Sequence, residues 1–148
     1  MPRSAARTAT GAAIAFLIMA ATAAPAVAIP TGLPVNIVAH TSFITEESPF
    51  ESSLDGCETG TVVNGDVAVV SFTRWGGVFV GGKEFTCAGG DSGFTLRLKA
   101  RFGEGGSTGT WTVADGWGAY EGLRGSGTLV GIPAGDDGID DVYTASLR

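Results

Sequence analysis

The sequence predicts an all-β protein, a barrel or a sandwich, and three observations carry that expectation. Nine consecutive residues, Phe94 to Phe102, alternate apolar and polar. Seven or eight short strand-like segments follow one another, separated by glycine-rich turns. Past the first 28 residues no stretch has the spacing of an amphipathic helix.

The first 28 residues are a separate material. Arg3 and Arg7 precede an apolar run of 14 residues, Gly11 to Ala24; Pro25 and the small residues Ala26-Val27-Ala28 follow. That order is a secretory signal peptide, residues 1–28, with cleavage expected after Ala28. The run is short of the roughly 20 residues a membrane-spanning helix needs. The expected mature domain is residues 29–148, secreted, with no membrane contact after cleavage. The chain has nine basic and fifteen acidic residues; without Arg3 and Arg7 seven basic residues remain, and the net charge is near −8. Such a surface repels polyanions, so a nucleic-acid partner is not expected.

Val35 to Phe43 is β-branched and reads as the first strand. Thr45 to Leu54 is polar and contains Pro49, so it reads as a loop. Gly60 to Val63 and Val67 to Thr73 flank Asn64-Gly65, the strongest short hairpin signal in the chain. Gly77 to Val80 and Lys83 to Cys87 are joined by Gly81-Gly82. In Phe94–Phe102 the period of two places Phe94, Leu96, Leu98, Ala100 and Phe102 on one face, and Thr95, Arg97, Lys99 and Arg101 on the other. One dry face and one wet face fit an antiparallel sheet. Thr108 to Val113, Gly127 to Ile132 and Val142 to Leu147 complete the set.

Cys57 and Cys87 are the only cysteines. In an exported domain they read as one disulfide. A metal pair or a reactive thiol is the rival, but a metal wants more ligands and His40 is the only histidine. No metal and no cofactor are expected. Asp136, Asp137, Asp140 and Asp141 crowd into Gly135–Asp141. They read as an acidic turn, with a weak calcium site as the alternative.

Other patterns fail on context. Gly105 to Gly109 matches G-x-S-x-G, but a strand follows where that motif needs a helix. Gly116 to Gly122 has the wrong spacing for a dinucleotide fingerprint. His40 in a strand reads as structural rather than as a general base. The acids Glu46, Glu47, Glu51, Asp55 and Glu58 read as a solvated loop. Trp75, Trp111, Trp117, Tyr120 and Arg124 are the candidate ligand contacts, because an aromatic ring beside a turn can stack on a ligand or fill a cavity mouth. Trp111 shares a face with Val113, which also fits a core position.

The segment Trp111-Thr112-Val113, a short corner, then Gly118-Ala119-Tyr120-Glu121-Gly122-Leu123-Arg124-Gly125-Ser126-Gly127-Thr128 resembles one shared by allene oxide cyclase-like and dirigent-like proteins. With Phe94–Ala100 ahead of it, the stretch from Ser92 to Gly131 is similar to secreted actinobacterial members. Trp117 and Asp115 depart from the threonine and glycine usual there. The resemblance implies a closed antiparallel β-barrel of about eight strands around a cavity. It implies glycine corners rather than catalytic residues, with Tyr120 and Leu123 plugging the barrel or its end. The functional expectation is a barrel that binds a small apolar or aromatic ligand. A cofactor-free cyclase or isomerase acting by substrate orientation is the alternative. A protein-binding or inhibitor module using Glu46–Asp55 or the Trp75 turn is a further one. Whether the chain is an enzyme stays open at this level.

Overall fold

The structure, a computed structural model, describes residues 34–147, with residues 67–72 described by their backbone only. The expected signal peptide lies outside the described residues. Eight strands form one closed barrel: β1 (Pro34–Ser42), β2 (Glu47–Ser52), β3 (Thr59–Thr73), β4 (Gly76–Cys87), β5 (Gly93–Gly103), β6 (Gly106–Trp117), β7 (Gly125–Pro133) and β8 (Gly138–Leu147). Each strand pairs antiparallel with its neighbours in sequence. The barrel shuts where β1 meets β8, along a ladder from Pro34↔Ser146 to Ser42↔Gly138. Closure leaves no exposed sheet edge.

The period-two pattern places the core. In β5, Phe94, Leu96, Leu98 and Ala100 are buried, while Arg97, Lys99 and Arg101 face water. In β1, Val35, Ile37, Ala39 and Thr41 point inward. The corner after β6 is a short 3-10 turn, Gly118–Tyr120. Gly118 has φ +62°, and a side chain there would collide with the backbone of Asp91.

Three local expectations change. Asn64-Gly65 is not a hairpin turn: β3 runs straight through it for 15 residues. Register shifts between Asn64 and Val67 and between Val69 and Ser71 absorb the irregularity as bulges. Pairing with β4 along the full length of β3 outweighs the local turn preference. Gly81-Gly82 likewise lies inside β4, where a Cβ on Gly81 would strike the Phe79 ring. The segment expected as a loop contains β2, with Ser48 and Phe50 inward. Pro49 is tolerated because the ladder to β1 covers only Phe50, Glu51 and Ser52.

Candidate functional site: a cavity with a polar floor

The two ends of the barrel differ. One end is filled. Phe85 stacks on Phe94 at 5.0 Å between ring centroids, and Phe50 and Tyr143 meet Phe85 edge-on at 5.2 and 5.6 Å. Tyr120 and Leu123 fold in from the corner beyond β6, each 3% exposed. Tyr120 Oη donates to the carbonyl of Asp55 at 2.8 Å. The Cys57–Cys87 disulfide is formed and buried at this same end. It is compatible with an extracellular location.

The other end is hollow. A cavity of about 710 Å³ opens there, in the size range of small-molecule sites. Phe79, Leu98, Ala100, Leu129 and Ile139 line its walls. Phe43, Ile44 and Glu46, in the β1–β2 connection, and Pro133 border its mouth. Ile44 is 73% exposed and Phe43 67% exposed.

The floor is polar. Lys83 on β4 is 4% exposed, Asp141 on β8 6%, and Thr41 on β1 9%. Lys83 Nζ donates to Asp141 Oδ2 at 2.7 Å and to Thr41 Oγ1 at 2.6 Å. Thr41 Oγ1 donates to Asp141 Oδ2 at 3.0 Å. Alternation puts these groups here. Cys87, Phe85 and Lys83 share the inner face of β4, and Leu147, Tyr143 and Asp141 that of β8. Phe85 and Tyr143 fall in the aromatic packing; Lys83 and Asp141, one step nearer the mouth, face the cavity. Gly131 leaves room for Asp141, because a Cβ there would crowd the carboxylate and Ser107.

Tyr143 lies just below. Its hydroxyl is buried with no hydrogen-bond partner among the described residues. Burial first, and the Asp141 carboxylate second, push its ionisation well above the ordinary phenol range.

The residues singled out from the sequence are dispersed. Trp111 is core, 2% exposed, with Nε1 donating to the carbonyl of Thr128 at 3.0 Å. Trp117, Tyr120 and Arg124 are at the filled end, and Arg124 is exposed. Trp75 sits in the β3–β4 turn at the open end, with Arg74 over its ring at 4.4 Å. None of the five lines the cavity. β5 contributes Leu98, Ala100 and Phe102 to the lining. His40 points outward and bonds Asp140 across the β1–β8 seam at 2.8 Å. Asp136 and Asp137 are exposed in the β7–β8 turn, but Asp140 and Asp141 belong to β8. No group of three or more histidines, cysteines or acids is placed to hold a metal ion among the described residues. Among them, too, no helix is long and apolar enough to cross a membrane.

The geometry defines a class: an up-and-down eight-stranded barrel, filled at one end and holding an apolar cavity with an ion pair on its floor at the other. No protein-family model matches the chain, and no curated protein matches it.

Proposed function

We propose that the protein is a secreted barrel that binds one small apolar ligand in the open-ended cavity. The observation that carries this reading is the cavity itself, about 710 Å³ with mostly apolar walls in a fold that could have been filled with side chains. The export signal at residues 1–28, cleaved after Ala28, and the disulfide fit a protein that works outside the cell. The resemblance of Ser92 to Gly131 to allene oxide cyclase-like and dirigent-like barrels supports the same reading. The exposed Phe43 and Ile44 at the mouth offer an arriving ligand an apolar first contact.

The test is a titration with the neutral, apolar fluorophore N-phenyl-1-naphthylamine. Saturable brightening at one site per chain is expected. Ala100→Trp, which fills the cavity from its wall, weakens binding at least tenfold. No binding, or equal binding by the variant, overturns the reading.

One observation favours the cofactor-free cyclase or isomerase as a second reading. Lys83, Asp141 and Thr41 are buried polar groups held together inside a chamber with mostly apolar walls, and such a site orients a reactive molecule and keeps water from it. A polar floor of this kind is more than a purely apolar store requires.

A further inference from the structure

We propose that the cavity selects uncharged, carbonyl-bearing apolar molecules (ketones or esters) and rejects carboxylates of the same length. The proposal deepens the ligand-binding reading and rests on it. It follows from counting donors, acceptors and charges on the floor.

An ammonium group has three N–H donors. Lys83 gives one to Asp141 and one to Thr41. The third has no acceptor among the described residues, and Lys83 lines the cavity. The single Thr41 proton is already directed at Asp141. The floor thus presents one outstanding N–H donor, next to the Asp141 carboxylate, whose hydrogen bonds from Lys83 and Thr41 both reach Oδ2. A hydrocarbon leaves that donor unanswered in a dry place, which is unfavourable. A carbonyl oxygen answers it and brings no proton that needs an acceptor of its own.

The charge balance then separates carbonyl from carboxylate. The Lys83 ammonium is already neutralised by Asp141 at 2.7 Å. A ligand carboxylate would be a second anion sharing one cation, in apolar surroundings where an unpaired charge is poorly tolerated. Among the described residues of the lining, the only other ionisable side chain is Glu46 at the mouth, which adds to the repulsion.

The experiment compares 2-nonanone with nonanoate at pH 8, by calorimetry and by amide chemical-shift titration of the intact domain. On the wild type, 2-nonanone is expected to bind at least tenfold more tightly, with shifts centred on β4 and β8. Asp141→Asn removes the internal anion, leaves the ammonium uncompensated and reverses the order, so that nonanoate binds better. Equal or tighter binding of nonanoate by the wild type overturns the selectivity. So does an unchanged order in a folded Asp141→Asn protein. If that variant does not fold, the wild-type ratio decides alone. Failure of both molecules to bind a wild type that still binds N-phenyl-1-naphthylamine overturns the selectivity alone, whereas failure of all three overturns the ligand-binding reading with it. Loss of only the naphthylamine signal in Ala100→Trp, with 2-nonanone still bound, places the ketone elsewhere and overturns the selectivity alone.

Discussion

Tyr143 and Tyr120 are both buried phenols, and their hydroxyls differ in a way that can be measured. Tyr120 Oη has the carbonyl of Asp55 as acceptor; Tyr143 Oη has no partner among the described residues. A satisfied hydrogen bond contributes about 1 kcal/mol, whereas an unsatisfied buried polar group costs about 1–3 kcal/mol. Tyr143→Phe is therefore expected to stabilise the fold by about 1 kcal/mol, and Tyr120→Phe to destabilise it by a similar amount. Urea unfolding at pH 7 checks both, and destabilisation by Tyr143→Phe would refute the account. The phenols also set an alkaline limit. Burial, then Glu58 and then Asp55, push Tyr120 up to about 12 from its ordinary 10, and Tyr143 is pushed well above that ordinary value. The unfolded chain therefore loses these protons before the folded one does. Their contribution is whole below about pH 10 and declines as pH rises toward 12. Thermal midpoints measured from pH 8 to 12 should fall above pH 10, less steeply in Tyr143→Phe.

At the scale of the strand, β4 and β8 each carry one charged residue on an inner face that is otherwise apolar or aromatic, and the two meet. A buried ion pair is a poor source of stability, because removing two charges from water offsets most of their attraction. Lys83→Met alone strands Asp141 and should lower stability by about 3–5 kcal/mol. Replacing the whole cluster, Lys83→Met with Asp141→Leu and Thr41→Val, should return stability to within about 1 kcal/mol of the wild type or above it. Recovery in chemical denaturation, together with loss of the preference for the ketone, would assign the cluster to the ligand. If the triple variant stays as weak as the single one, the cluster is structural. Part of this was legible from alternation alone. Counting back by twos from Cys87 through Phe85 reaches Lys83, and counting forward from Ile37 through Ala39 reaches Thr41. Two local signals hid it. Gly81-Gly82 suggested that Lys83 opened a strand, and the run of aspartates suggested that Asp141 sat in a turn. Their convergence was not legible, because Lys83 and Asp141 are 58 residues apart and meet only when the sheet closes.

Across the whole molecule, the alternation of Phe94–Phe102 and the glycine-rich segmentation sufficed to indicate an antiparallel all-β protein, a barrel or a sandwich; closure into a barrel was what the resemblance implied, and the structure has it. How the strands divide was less visible. Two expected pairs fused into β3 and β4, and β2 came from a segment that looked like a loop. Local residues report turn preference and alternation; strand length is set by neighbours in the closed sheet. The disulfide is where sequence and architecture meet most directly. Cys57 and Cys87 are 30 residues apart, so cross-linking them restricts the unfolded chain by about 3–4 kcal/mol on chain-entropy grounds. They lie at the filled end, away from the mouth. Their loss should therefore weaken the fold without reshaping the cavity. The double substitution Cys57→Ala with Cys87→Ala is expected to lower unfolding free energy by about 3 kcal/mol. Affinity for N-phenyl-1-naphthylamine should stay within about twofold at temperatures where the variant remains folded, since ligand and disulfide then touch different halves of one barrel. A tenfold loss of affinity in the folded variant would mean that the two ends are coupled through the aromatic packing between them.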